Sequence, residues 1–373
     1  SNSNNDGMSC PSAVVADFGG YDTDDDGIPD SNELEAFTNP LDACNPLNSS
    51  AACDGSVNYG FVCSASGNGN KTIAYVKCNF NCDAPDQYAH IYNNSVDNDV
   101  DNDNVPNATD PNPTERNEAF VQYRPSQNSF GTYAFEDLWP ETGDYDFNDM
   151  VVQVQERIIT NNTSKVYKVI YDIKIMAMGG IFNNNLGIVT PDPGNKASIK
   201  VISAHNVNWS STQIGNDEVI IIEKPKQMFY SLGIVNAWNS DPYFQPLEFQ
   251  VEVQLEGRYS YPSGYDSKIF IEQNAADGHE IHIAGKAPTQ NMTAGLLGTE
   301  KDDSNPSTSK YFLTENNLPW GIYIPTEWKY PQEGIDLTSA YIRFAEYAQS
   351  NPSLDWYTNT SANVVSSRVY NKH

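Results

Sequence analysis

From about residue 119 onward the chain reads as a series of strands. Met150–Thr160 and Lys165–Ala177 are apolar or alternating runs joined by Asn161-Asn162-Thr163-Ser164. Period-two alternation broken by a polar, Asn-rich turn predicts a β-hairpin. Similar runs recur at Ala197–Ser203, Glu218–Glu223, Leu247–Glu256, Lys268–Gln273 and Glu280–Ala284, with Pro, Gly, Asn and Asp between them. Many short strands and few helical stretches predict a β-sandwich. One helix is predicted near the end, in IDLTSAYIRFAEYAQSNP. Asp336 can cap it, and Leu337, Tyr341, Phe344, Ala345 and Ala348 recur at helical spacing. Asn351-Pro352 stops it, since the residue before proline is pushed out of the helical region. Its apolar face is expected to pack on the sandwich.

The first part of the chain differs. Residues 1–96 are rich in Cys, Asn and Gly and carry one Asp cluster, and residues 97–118 hold a second that ends in DPNPTE. The expected fold is therefore mainly β. A β-sandwich-like domain with one short C-terminal helix spans 119–373, preceded by a disulfide-braced, loop-rich, calcium-binding N-terminal region (1–96) and a linker with a second calcium loop (97–118).

Composition narrows the partners. The 373 residues leave room for two or three domains, and 22 Tyr among 12% aromatics supply a sizeable core. With 21 Lys and Arg against 49 Asp and Glu, the net charge is -28. Such a surface repels nucleic acid and anionic lipid, which excludes nucleic acid as a partner. No apolar run reaches the ~18 residues that a membrane-spanning helix needs. The opening SNSNNDGMSC looks like a processed or trimmed start. The six cysteines, Cys10, Cys44, Cys53, Cys63, Cys78 and Cys82, all precede the sandwich. An even, clustered set in an acidic, lysine-poor chain reads as disulfides formed outside the cytosol, and six cysteines allow about fifteen connectivities. Cys78-x-x-x-Cys82 would supply half of a zinc site, but no second close pair or nearby His pair completes it.

The acidity is concentrated in loops. In Asp22-Thr-Asp24-Asp-Asp26-Gly27-Ile28-Pro-Asp30-Ser-Asn-Glu33, side-chain oxygens fall at positions 1, 3, 5, 9 and 12, with Gly at 6 and the Ile28 carbonyl at 7. Calcium takes about six to eight oxygens, and a loop wrapped round it presents every second residue inward. Gly27 permits the left-handed turn, and Glu33 can close the site with both oxygens. Without a cation these carboxylates repel one another. The spacing repeats at Asp99, Asp101, Asp103, Val105, Asn107 and Asp110, with Asn104 at the glycine position and Asp97 able to contribute from outside. Proline-rich tails follow both loops and oppose the helix that an EF-hand places there. Over about 22–42 and 97–115 the chain resembles the thrombospondin type 3 repeat, in which short Asp loops string calcium ions along an extended segment.

A third cluster, FEDLWPETGDYDFNDMVVQVQ, does not follow the loop spacing, because position 12 from Asp144 is Gln155. Alternation predicts Asp144, Asp146 and Asn148 on one face of a strand entrance, with Tyr145 and Phe147 facing the core. Asp149 follows, and Glu136 or Asp137 would complete a calcium site; the other reading is a hydrogen-bonded structural corner. AFEDLWPETGDYDFNDMVV resembles the signature of the LruC-type domain family of bacterial secreted and surface proteins. GHEIHIAGKAPTQ, NNLPWGIYIPTEWKYPQEGIDLTSAYIRFAEYAQS and LDWYTN follow in the order the resemblance calls for. The resemblance spans roughly 119–373 and implies a cell-envelope or extracellular setting and a β-rich domain, without supplying an activity. Its acidic motif maps to Asp137, Asp144, Asp146, Asn148 and Asp149.

The sequence offers little to a catalyst. His279-Glu-Ile-His282 lies in a strand-like segment, where residues three apart point to opposite faces. No nucleophile elbow or phosphate-cradling loop is present, and no cysteine follows residue 82. Paired carboxylates would suit a glycoside hydrolase by residue type, but their clusters are better explained as metal cages. The expected role is non-enzymatic: an extracellular calcium-binding structural or adhesive protein that can assemble with itself through exposed sheet edges. The alternative is a calcium-dependent glycan-binding module using Trp209, Trp238, Trp328 or Trp356, for which buried core is the competing assignment.

Overall fold

Met150–Thr160 and Lys165–Ala177 form an antiparallel pair, as their pattern predicts. The turn is fixed by Asn161, whose Oδ1 accepts from the Thr163 and Lys165 backbone N–H groups, both at 3.0 Å. The structure, a computed structural model, describes residues 58–65, 71–78, 99, 101, 103–190, 196–203, 207–214, 217–229, 233–260, 268–293, 295–350 and 355–372. Two compact units divide the chain, Ser1–Phe120 and Val121–His373.

In the first unit, β1 (Asn58–Ala65) and β2 (Lys71–Cys78) pair antiparallel. The register sets Cys63 opposite Ile73 and Cys78 opposite Asn58, so these two cysteines are not register partners. The first predicted calcium loop (Asp22, Asp24, Asp26, Ile28, Asp30, Glu33) lies outside the described residues, as do Cys10, Cys44, Cys53 and Cys82.

The second unit holds two sheets. Its strands are β3 (Phe120–Arg124), β4 (Gly131–Phe135), β5 (Met150–Thr160), β6 (Lys165–Ala177), β7 (Asn185–Thr190), β8 (Lys196–Ser203), β9 (Trp209–Ile214), β10 (Asp217–Ile222), β11 (Leu247–Ser260), β12 (Lys268–Glu272), β13 (Glu280–His282) and β14 (Gly321–Ile324). The seven-stranded sheet runs β14-β4-β5-β6-β11-β8, with β3 against β5, and the five-stranded sheet runs β13-β12-β7-β10-β9. The inward residues Val152, Val154, Tyr171, Ile173, Val251 and Val253 of the larger sheet meet Leu186, Ile188, Ile220, Ile222, Ile269 and Ile271 of the smaller in one core. This is the packing of a β-sandwich.

A third layer covers the other face of the larger sheet. Ala134, Val151, Ala177, Ile322 and Ile324 pack there against Trp328, Tyr330, Leu337, Tyr341, Phe344, Trp356 and Tyr370. The predicted helix lies in this layer but is divided into α1 (Leu337–Ala340) and α2 (Phe344–Ser350). Asp336 caps α1, its carboxylate accepting from Thr338 N at 2.6 Å. Tyr341 breaks the run. It is extended (φ -118°), bridges to Val364 and packs on Trp328 and Trp356, so aromatic packing outweighs helical continuation here.

Candidate metal centre

β4 and β5 are neighbours, and the segment 136–149 between them is the Asp-rich corner. Tyr145 and Phe147 enter the core as predicted, with their rings edge to face at 5.3 Å. The segment is not a strand, however: Tyr145 (φ 67°) and Phe147 (φ 54°) are both left-handed. The alternation therefore comes from alternating backbone handedness, not from a pleat. Each such residue costs roughly 1–2 kcal/mol. Burial of two rings and the bond from Tyr145 Oη to Pro319 O (2.7 Å) offset it.

This backbone gathers carboxylates. One oxygen from each of Glu136, Asp144 and Asp146 lies within 4.8 Å of the others; Glu136 and Asp146 are buried and Asp144 is exposed. Glu136 Oε1 accepts from Phe147 N at 2.6 Å, whereas its buried Oε2 has no hydrogen-bond partner. Asp146 Oδ1 accepts from Asn148 N (3.1 Å) and Oδ2 from Gly334 N (2.7 Å). Asp137 and Asp149 form a neighbouring group. Asp149 Oδ2 accepts from Asp137 N (2.7 Å), Asp137 Oδ2 accepts from Asn184 Nδ2 (2.8 Å), and the buried Lys226 ammonium donates to Gly180 O.

The chain after β6 fits against both groups only because it is glycine. A Cβ on Gly179 would stand 1.5 Å from Asn148 Oδ1 and 2.8 Å from Glu333 Oε2, and one on Gly180 would stand 2.4 Å from Asp137 Oδ2. Asn148 Oδ1 and Glu333 Oε2 are themselves buried without hydrogen-bond partners.

The electrostatics follow from burial among like charges. Burial, then the Asp146 and Asp144 charges, push the Glu136 carboxyl well above its ordinary range. Burial, then Asp144 and Glu333, lift Asp146 to about 8. Burial, then Asp137 and Glu136, raise Asp149 well up, and burial raises Asp137 against its Asn184 bond. Glu333 rises to about 7 through burial and the Asp144 charge, against a side-chain hydrogen bond with Asn148, while burial lowers Lys226. The centre must take up either protons or a cation. Its donors are hard oxygens, which suit calcium or magnesium over soft metals.

The loop of the first unit is built differently. Asp99, Asp101 and Asp103 present oxygens within 4.8 Å of one another. Asp103 Oδ1 accepts from Val105 N (2.7 Å), Asp99 Oδ2 from Asn104 N (3.0 Å), and Asp110 Oδ1 from Asn112 N (2.7 Å). Asn104 takes the left-handed conformation (φ 74°) at the glycine position. Val105 and Asp110 are buried and Asn107 is half-buried. Burial, then the Asp103, Asp110 and Asp99 charges, lift Asp101 to about 6.

The corner thus brings together Asp144 and Asp146 with Glu136, not with Asp137. Asp137 and Asp149 sit with Lys226, and Asn148 sits with Glu333. Sequence reasoning missed Glu333, Lys226, Asn184 and Gly179-Gly180; a glycine pair directly after a strand was the available signal for the last. His282 is not paired with His279. Its buried ring bonds Glu280 through Nε2 at 2.7 Å and stacks on Phe270. Burial lowers the His282 pKa, keeping the ring neutral. Burial would raise Glu280, but bonds from His282 and Thr289 outweigh it and hold that carboxyl low. Trp328 and Trp356 are core residues, at 5% and 3% exposure, whereas Trp209 and Trp238 are 39% and 40% exposed.

The sequence model of a domain of unknown function, DUF4842, matches residues 164–357, more than half of the chain. The chain belongs to the DUF4842 family. Gly179, Gly180, Lys226 and Glu333 lie within the DUF4842 match and the corner precedes it. The crystal structure of a "putative lipoprotein" from Bacteroides ovatus is similar in fold, with a TM-score of 0.54 at 14% identity over 84% of this chain and 85% of that one. No curated protein matches. Among the described residues no helix is long and apolar enough to cross a membrane.

Proposed function

We propose that this DUF4842 protein is a calcium-stiffened structural or adhesive component of a bacterial surface or extracellular matrix, able to assemble with copies of itself, and not an enzyme. One observation carries the reading: Glu136, fully buried, keeps Oε2 without a partner in a group whose oxygens approach those of Asp144 and Asp146 within 4.8 Å. A fold that buries an unpaired carboxylate oxygen beside two more carboxylates is poised for a divalent cation. The resemblances to LruC-type domains and to thrombospondin type 3 repeats support an extracellular setting, as does the lipoprotein description of the Bacteroides ovatus neighbour.

The test is calcium titration of chelator-stripped protein, following melting midpoint and particle size together. Calcium at about 100-fold over its dissociation constant adds roughly 2.7 kcal/mol per site. Glu136→Gln sharpens the result. Its Oε1 still accepts from Phe147 N, and its amide donates toward the carboxylates. The variant should melt higher than wild type without calcium and respond less to it. An unmoved wild-type midpoint overturns the calcium reading, and unchanged particle size with calcium overturns self-assembly. The exposed Trp209 and Trp238 support a second reading, calcium-dependent glycan binding, which saturable binding on a glycan array would favour.

A further inference from the structure

Glu333 stands apart from the other acids of the centre. It lies in the C-terminal layer, distant in sequence from the corner, and no local spacing rule points to it. Its backbone N donates to Ala237 O (3.1 Å), and the next residue, Gly334, donates to Asp146 Oδ2 at 2.7 Å. The Asn148 amide reaches Pro331 O from the other side. Two buried oxygens without hydrogen-bond partners, Glu333 Oε2 and Asn148 Oδ1, border the same space, the one where Gly179 lacks a Cβ. Asn148 itself is fully buried. The Asn148 amide also bonds the Glu333 carboxyl, so the two side chains form one wall, and Asn148 Oδ1 and Glu333 Oε2 remain as donors for a hard cation.

We propose that Glu333 and Asn148 complete the coordination of the cation held by Glu136, Asp144 and Asp146, so that calcium clamps the C-terminal aromatic layer onto the larger sheet. The inference rests on the calcium reading above. Three carboxylates alone leave calcium short of its six to eight oxygens, unless each binds through both. Glu136 Oε1 and both Asp146 oxygens already accept backbone N–H groups. Further donors come from the adjoining wall, Asn148 and Glu333: no Glu333 oxygen joins the 4.8 Å group, but the Asp144 charge acts on Glu333 and the Glu333 charge on Asp146. That wall continues directly into Asp336, α1 and the Tyr341–Trp356 packing. Loss of the cation would remove one tie between this segment and the corner, leaving the Gly334 N–Asp146 and Leu337 N–Tyr145 O bonds to hold it.

The experiment compares full-length wild type, Glu333→Gln and Glu136→Gln by calcium titration and by amide hydrogen exchange. Glu333→Gln keeps shape and removes one charge from a self-repelling group, so it folds; circular dichroism and a melting midpoint without calcium check this. In wild type, calcium should slow exchange at Leu337–Phe344 by about 10-fold or more, with no such change at β11. In Glu333→Gln, calcium affinity at this centre should fall by about 10-fold or more, and the protection at Leu337–Phe344 should be lost. Wild-type affinity and protection in Glu333→Gln would overturn the clamp while leaving the calcium reading intact. A wild-type protein that ignores calcium would instead remove the reading beneath it.

Discussion

The loop at 99–110 and the centre in the sandwich both crowd carboxylates together, but they reach that state by opposite routes. The loop draws Asp99, Asp101 and Asp103 from one continuous stretch, and its own backbone satisfies part of each site: Val105 N on Asp103 and Asn104 N on Asp99. The sandwich centre draws on the β4–β5 connection, the Gly179-Gly180 segment and Glu333, which lie far apart in the chain. Burial does not separate them: Asp101 Oδ2 and Asp110 Oδ2 are buried without hydrogen-bond partners, as Glu136 Oε2 is, although Asp101 as a residue is only half-buried. Both therefore need protons or a cation; the loop ties together one short stretch, whereas the centre ties together three separate segments. The two sites should therefore differ in how much of the fold each governs.

The largest expected effect tests that directly. Gly179→Ala would set a methyl 1.5 Å from Asn148 Oδ1, and Gly179 N also donates to Asn148 O at 2.8 Å, which holds the backbone in place. Neither wall can retreat without opening the centre. The substitution should destabilise the sandwich by about 3 kcal/mol, lowering its melting midpoint by roughly 10 °C. A Gly179→Ala variant that melts with the wild type would mean the centre is looser than its geometry, and no different in kind from the loop.

Much of the sandwich was legible because β5, β6 and β11 are long enough for period-two alternation to show. β4 (GTYAF) and β14 (GIYI) open on glycine and mix Thr and Tyr with apolar residues, so they show no alternation, whereas β12, equally short at five residues, is a run of apolar residues between charged ends. In β7, Gly187 interrupts the alternation; it makes room for the Phe270 ring, 2.2 Å from where a Cβ would lie. The β1–β2 hairpin went unread inside a stretch whose Cys, Asn and Gly content signals loops. The helix break at Tyr341 follows from contacts with Trp328 and Trp356 that no local propensity encodes. The same division holds for the sites. The loop's clustering of Asp99, Asp101 and Asp103 was readable because these acids follow a spacing rule. The corner was half readable: the rule placed Tyr145 and Phe147 inward, but for the wrong backbone reason. Glu333 was unreadable, since nothing in one sequence says which distant carboxylate a fold returns to a corner.

Acid should separate the two sites by pH window. A carboxyl whose folded pKa is raised binds its proton more tightly folded than unfolded, so without calcium it makes stability fall as pH rises from its unfolded value through its folded one. For Asp146 that window runs from 3.8 to about 8, and for Glu333 from 4.5 to about 7. Calcium needs these groups ionised. The stabilisation it adds should therefore be greatest near pH 8 and should shrink by about 2 kcal/mol on going to pH 5, as protons displace the ion. His282 and Glu280, whose pKa values are lowered, act in the other sense: they lose stability as pH falls below the unfolded value of 6.5 for the ring and, for the carboxyl, below 4.5. They contribute equally with and without calcium, so the difference between the two melting profiles removes them. In the loop, Asp101 rises only to about 6, so calcium binding there should hold until the pH falls below that value. A calcium response that declines in one window for both units would erase the distinction.

The smallest effect probes the backbone that each site shares. Asn104 is left-handed at φ 74° and exposed, with its N–H on Asp99. Asn104→Gly keeps that bond and removes the Cβ crowding, while the unfolded chain gains freedom; the two effects nearly cancel, within about 0.5 kcal/mol. Asn104→Ala keeps the crowding without the local bonding that lets Asn adopt this conformation, and should cost about 1 kcal/mol and weaken calcium at the loop. At the corner the same exchange inverts. Tyr145→Gly would also relieve a left-handed residue, φ 67°, but would forfeit a buried ring and its bond to Pro319 O, a loss of roughly 3 kcal/mol or more. Thermal melts of the Asn104 pair beside Tyr145→Gly would read this contrast. If glycine helps or hurts equally at both positions, strain at the corner is not held by packing, and the handedness of Tyr145 and Phe147 has another cause.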